Sequence, residues 1–406
     1  MKLVLLGAGA SYGASRYGEI RPPLVTGILP AAHELGMFSG GYATARHDAF
    51  TQQLREARAK AEMINEHASV RDQHLQILTA FIEEQFDAIP AGYIDAQIDF
   101  ERLFALTEAE LLGHHALIRH KRTVPSSPAG PDVLDLQMKL VLCGTLVAAT
   151  RDVRCDYHDV LARWLTPGDA VVSFNYDLLI DRSLGATGTW FQDDGYGIDF
   201  TKHGTRQGDD AVWRTPRRTT SAISLLKPHG SLNWLYPRNS WDSVMNMSLQ
   251  PDRPMKEAPS QLYCLDDLHA NFEEDYPTYE WWERYDIEHE GYTFDLHSLI
   301  VPPSLSKPYR TFEPQMGKLW GVISEAILTK VEEIFLIGYS LREDDTRTRW
   351  ILRKAARQAE KLKRIVLIDP SDDVAARAAS LFAPMRVTRP CNLLSDFAAM
   401  IVRGAI

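Results

Sequence analysis

Short apolar runs, each closed by glycine or a small polar residue, recur along this chain and set its reading. Lys2–Leu6 (KLVLL) is the first, stopped by Gly7. Ala170–Phe174, Ile223–Leu226, Leu299–Val301, Ile334–Ile337 and Ile365–Ile368 follow. Runs this short, without polar alternation, predict strands buried on both faces, the habit of parallel sheets. Between them, Met316–Val331 and Asp345–Lys361 carry apolar residues at helical spacing. Strand alternating with helix predicts an α/β fold on a doubly wound parallel sheet.

The pattern changes from about Thr44 to Trp164. Leu75, Ile77, Leu78, Phe81 and Ile82, then Phe100, Leu103, Phe104 and Leu106, recur at helical spacing in stretches poor in Gly and Pro. Thr123–Pro131 reads as a Pro/Ser/Gly linker, and a long helix is predicted from about Val133 to Trp164. The expected organisation is a large helical lobe, residues 31–164, inserted in a sheet domain of residues 1–30 and 165–406. Two segments of that domain break the alternation. Gly185–Thr220 is polar and Gly-rich, which predicts loop with some hairpin. Residues 236–298, rich in Trp, Tyr, Asp and Glu and including Trp281 and Trp282, predict an irregular insertion over the site.

Bulk composition narrows the class. With 406 residues, 45% hydrophobic and 24% charged, the chain fits a globular protein of two or three lobes. A net charge of −10 gives no broad basic footprint, so direct nucleic-acid binding is not expected. Arg214, Arg217 and Arg218 form a local basic group. Cys143, Cys155, Cys264 and Cys391 lie far apart, with no C-x-x-C, which argues against a zinc ribbon or other metal site and suits a reducing cytoplasm. The N-terminal apolar run breaks after Leu6, too early for a signal peptide, and no stretch reaches the length of a membrane span.

Candidate chemistry sits where the predicted strands end. Gly7-Ala8-Gly9-Ala10-Ser11 follows the first strand. Glycines there let the backbone approach a pyrophosphate at a helix start, or simply make a tight turn. The dehydrogenase fingerprint stays incomplete: in place of a second strand with an acidic end stands Ile28–Glu34, with Pro30 inside. A hydride-transfer enzyme is therefore disfavoured, although the ligand can still be NAD. Asn175 and Asp177, in Ser173-Phe174-Asn175-Tyr176-Asp177, are short and polar at a strand edge. They suit a carboxamide, which needs one donor and one acceptor, and equally the cap of the helix that follows. His229 in Lys227-Pro228-His229-Gly230-Ser231-Leu232-Asn233-Trp234 is a proton carrier near neutral pH or a structural histidine. Gly338-Tyr339-Ser340-Leu341 offers a small turn and a hydroxyl to phosphate or ribose; Asp344 can cap the next helix. Asp369 ends a further strand, well placed for ribose hydroxyls.

Read in order, these motifs resemble the sirtuin superfamily. GAGAS is similar to its phosphate loop, SFNYD to its Asn-x-Asp nicotinamide motif, KPHGSLNW to its His-Gly motif and GYSL to its Gly-x-Ser motif. The resemblance covers residues 1 to about 30 and about 165 to 390. It implies a Rossmann-like sheet with NAD as substrate. Lacking the four-cysteine ribbon of deacylating sirtuins, the chain looks closest to the zinc-free branch of bacterial antiphage proteins that hydrolyse NAD and starve an infected cell. The resemblance then implies catalytic roles for Asn175, His229 and Asp177. Gly7, Ala8, Gly9, Ser11 and Arg21 would serve the phosphates and nearer ribose, and Gly338, Ser340 and Asp369 the adenosine side. It also implies a homo-oligomer and a partner such as a HerA-type ATPase or another defence protein. Two other readings stand beside hydrolysis: a sensor that holds NAD or ADP-ribose without turnover, and an NAD-dependent deacylase.

Overall fold

The computed structural model describes residues 1–14, 21–35, 37–38, 76–89, 92–107, 131–150, 153–207, 210–239, 261–266, 286–289, 292–301, 313–343 and 345–406. Five of the six apolar runs become neighbours in one sheet: β1 (Lys2–Leu6), β2 (Ala170–Ser173), β5 (Ser224–Leu226), β10 (Glu333–Ile337) and β11 (Arg364–Ile368). A sixth strand, β12 (Val387–Cys391), closes one edge. The order is β12-β11-β10-β1-β2-β5, and every adjacent pair is parallel. Leu5 faces Leu336 on one side and Val172 on the other, so the central strand is apolar wherever it is covered. Helices including Asp156–Trp164, Leu179–Gly185, Glu313–Thr329, Thr346–Gln358, Asp372–Phe382 and Leu394–Val402 flank the sheet. The fold is α/β and Rossmann-like. Two halves wind outward from β1 and β10, so the strand order reverses between those two strands, the position where such sheets commonly take ligands.

The sixth apolar run corrects the expectation. Leu299 and Ile300 end β9 (Tyr292–Ile300), a strand of a second sheet instead of the parallel one. That sheet also holds β3 (Lys202–Gln207), β4 (Asp210–Arg214), β6 (Gly230–Asn239), β7 (Tyr263–Leu265) and β8 (Asp286–His289), in the order β4-β3-β7-β6-β9-β8. Its described pairings are antiparallel except β3 with β7. The hairpin expected within Gly185–Thr220 is β3–β4. The sheet was hard to see because β6 is buried on both faces, one of them polar. Leu232 and Trp234 enter the apolar core, while Ser231 and Asn233 are equally buried and bond to each other.

The expected helix from Val133 to Trp164 is two helices, Pro131–Thr150 and Asp156–Trp164. Neither Gly nor Pro marks the break. Arg182, distant in sequence, donates to the carbonyls of Thr150 (2.6 Å) and Val153 (3.3 Å) and so satisfies the end of the first helix. Ile28–Glu34 is a short helix with Pro30 in its first turn, so no second dinucleotide strand lies there.

The chain divides into two units. One comprises Met1–Leu24, Leu146–Arg238 and Ala258–Ile406 and contains both sheets. The other comprises Val25–Thr145 and Asn239–Glu257; its described elements are helical, among them Gln76–Phe86. Much of the expected helical lobe, together with Trp281 and Trp282, lies outside the described residues. Among the described residues no helix is long and apolar enough to cross a membrane.

Candidate functional site

Four loops leave the carboxyl ends of β1, β2, β5 and β10, and side chains from all four meet. Ser11 sits in the single helical turn Ala8–Ser11 that follows β1. Its hydroxyl donates to Asp177 Oδ2 at 2.8 Å and accepts from Asn175 Nδ2 at 2.9 Å. Asn175 Nδ2 also donates to the Gly7 carbonyl at 2.9 Å. A carbonyl only accepts, which fixes the amide orientation and leaves Asn175 Oδ1 facing away from these partners. Asp177 Oδ1 accepts from the Leu179 amide at 3.0 Å, so the carboxylate also caps the helix that begins there. Of the two sequence readings of Asp177, this bond is the one at the helix start.

Phe174 joins the other two loops. Its ring stacks on Tyr339 with centroids 4.3 Å apart, and lies tilted against the His229 imidazole at 5.1 Å. Sequence reasoning assigned neither Phe174 nor Tyr339; an aromatic after a buried strand reads as core. His229 is 5% and Asn175 8% exposed, so both sit at the edge of the interior. The chain turns at His229 from the parallel sheet into β6 of the second. Gly230 makes the turn at φ +86, where a Cβ would stand 1.9 Å from the Leu299 carbonyl oxygen. The His229 carbonyl accepts from the Val301 amide at 2.8 Å.

The glycines of the first turn are explained by close approach between loops. A Cβ on Gly7 would meet the Gly338 oxygen at 2.5 Å, and one on Gly338 the Ala10 nitrogen at 2.3 Å. The Gly7 amide donates to Ile337 (3.1 Å) and the Gly9 amide to Gly338 (3.0 Å). Two of the amides expected to hold a pyrophosphate therefore already bond to the β10 loop. Ala8 and Gly9 remain exposed at the rim. Arg21 is exposed as well, its guanidinium 5.9 Å from the Tyr12 ring beside that turn.

Beyond β10, the Ser340 carbonyl accepts from Arg377 Nε at 3.1 Å. Asp369 is buried and accepts from the Ser371 amide at 2.9 Å; burial pushes its carboxyl above the usual range. Ser340 and Asp369 thus bond to Arg377 and Ser371, on the β10 and β11 side of the sheet. Asp345 stands at the N-cap of the following helix and takes the Tyr339 and Thr348 hydroxyls; Asp344 lies outside the described residues. Arg214 is not free for an anion: its fork grips Asp193 at 2.6 and 3.2 Å.

A buried polar network behind the site was missed. Lys227 is fully buried, and its ammonium donates to the Asp177 carbonyl (2.7 Å) and Asp181 Oδ2 (3.2 Å). Tyr196 donates to Asp181 Oδ1 at 2.5 Å, and Asn233 donates to the Tyr196 hydroxyl at 3.2 Å. Burial holds the Asp181 carboxyl above the usual range, against the opposing pull of Lys227 and Tyr196. The only sequence signal was a lysine placed between an apolar run and the His-Gly pair, where a surface charge has little reason to be. No protein-family model matches the chain, and no curated protein is significantly similar to it.

Proposed function

We propose that the protein hydrolyses NAD to nicotinamide and ADP-ribose. The reading rests above all on one observation: Asn175, Ser11 and Asp177 are joined in one hydrogen-bond chain near the Phe174–His229 contact, at the carboxyl ends of the parallel strands, where such sheets take dinucleotides. The reaction asks little acid assistance. The bond from the ribose carbon to the ring nitrogen breaks, and its electron pair neutralises the positive charge of that nitrogen. Nicotinamide leaves through an oxocarbenium-like state, as in glycoside chemistry. Water then bonds to the ribose carbon and gives up a proton, which His229 accepts as general base. Asn175 Oδ1 orients the water or a ribose hydroxyl, and Asp177 anchors the loop and the carboxamide. Ala8, Gly9 and Arg21 border the phosphates; Ser340 and Asp369 serve the adenosine side.

The test is incubation with NAD and chromatography of the products. ADP-ribose from the wild type, lost in Asn175→Ala and His229→Ala, is the expected result. Equal substrate loss in all three proteins rejects the site. In this reading the biological role follows the resemblance: depletion of NAD as an antiphage response, in an oligomer or with a partner that holds the activity off.

One observation favours a second reading, a sensor that binds without turnover. Gly7, Gly9 and Ser11 already bond to neighbouring loops, which suits a closed receptor. Calorimetry showing saturable NAD binding with no nicotinamide release would select it.

A further inference from the structure

Lys227 carries more than its place in the core requires. A fully buried lysine is costly, because the ammonium leaves water and an apolar residue could fill the same volume. Its bonds point at the site. The ammonium holds the main-chain oxygen of Asp177, the residue whose carboxylate receives Ser11, and it stands two residues before His229. The same group contacts Asp181, on the helix Leu179–Gly185 that Asp177 caps. Tyr196 and Asn233 extend the chain of bonds to Ser231, and the Leu232 amide returns to the Tyr176 carbonyl at 3.0 Å. The β2 loop and the β5–β6 turn are thereby tied at both Asp177 and Tyr176.

We infer that Lys227, with Asp181 as its counter-ion, is a positioning residue that sets the distance between His229 and the Asn175–Asp177 loop. This rests on the NAD-hydrolase reading above for its kinetic arm, but not for its spectroscopic arm. Lys227 touches no substrate in this account. It acts through the Asp177 backbone and through the short connection to His229. An ion pair suits the task because it is directional at both ends, whereas an apolar pair of equal volume would let the loops slide.

The experiment is the paired replacement Lys227→Met with Asp181→Asn, which removes both charges together and leaves neither uncompensated. Thermal melting checks that the fold survives, and NAD turnover gives kcat and KM separately. The expected result is a folded protein with KM nearly unchanged and kcat lower by about a hundredfold, the effect of displacing a reacting group by roughly an ångström. A folded double variant with wild-type kcat overturns the proposal. Should the double variant not fold, Tyr196→Phe removes one bond to Asp181 and is expected to lower kcat in the same sense, KM held; unchanged kcat there overturns it. The second arm needs no turnover. The His229 ring resonances, identified by their loss in His229→Gln, are expected to shift in the folded replacement proteins, and unmoved resonances overturn the proposal. A wild type that leaves NAD intact rejects the hydrolase reading alone, and the resonances then decide this one.

Discussion

Replacing Gly7 with alanine separates two explanations of the glycine-rich turn. If the glycines exist to pack the β1 loop against the β10 loop, the substitution costs stability. If they exist only to admit a ligand, it costs affinity. Gly7 has φ −112, which alanine adopts freely, so backbone strain contributes nothing. The added Cβ would lie 2.5 Å from the Gly338 oxygen and 2.6 Å from Tyr339 Cα, both backbone atoms that cannot rotate away. Overpacking of this kind costs about 1–3 kcal/mol. Gly338 sits at φ +57 with a would-be Cβ 2.4 Å from the Gly9 carbonyl carbon, so its alanine variant meets both penalties. Left-handed backbone adds about 1–2 kcal/mol, for a total of roughly 2–5 kcal/mol. Gly188 is the control: φ is +71 with nothing within 4 Å, so Gly188→Ala carries the backbone term alone. Urea unfolding followed by tryptophan fluorescence should rank Gly338→Ala as least stable, with Gly7→Ala also clearly below wild type. A Gly7→Ala protein that unfolds with the wild type, while its NAD binding fails, would refute the packing explanation.

Two aspartates should give opposite pH dependences. Asp169 is buried, which raises its carboxyl, but bonds from Lys2 and Thr166 outweigh this and hold it below the usual range. Its contribution is present above the unfolded value and lost as pH falls through the native one, so the stability gap between wild type and Asp169→Asn should close in acid. Asp369 is shifted upward by burial. Its protonated form favours the fold below the ordinary carboxylate range, and that stability is lost as pH rises through the raised native value. Asp369→Asn should abolish this dependence, read from urea midpoints across the acid range; an unchanged slope would contradict the assignment.

The parallel sheet was legible because its strands are apolar on both faces and end in small residues. Lys2–Leu6 and Ile334–Ile337 needed no context to be recognised. The second sheet was not: Ser231-Leu232-Asn233-Trp234 alternates polar and apolar, but its polar residues are buried as a bonded pair instead of facing solvent. β12 escaped notice because Thr388, Arg389 and Pro390 read as surface. The positions of Ser11, Asn175, Asp177 and His229 just beyond strand ends were legible, since each follows a short apolar run. What joins them could not: Phe174 between two loops, Lys227 beneath Asp177, and Arg182 ending a helix are all distant contacts with no local pattern.

The central claim is that the loops after β1, β2, β5 and β10 form one site that breaks NAD with water. Its most direct test is turnover in water enriched in heavy oxygen, with mass spectrometry of the products from wild type and His229→Ala. The account predicts nicotinamide and ADP-ribose in equal amounts from the wild type, one heavy oxygen in each ADP-ribose, and almost none of either from the variant. NAD left intact by the wild type, or labelled product from His229→Ala at the wild-type rate, would contradict it.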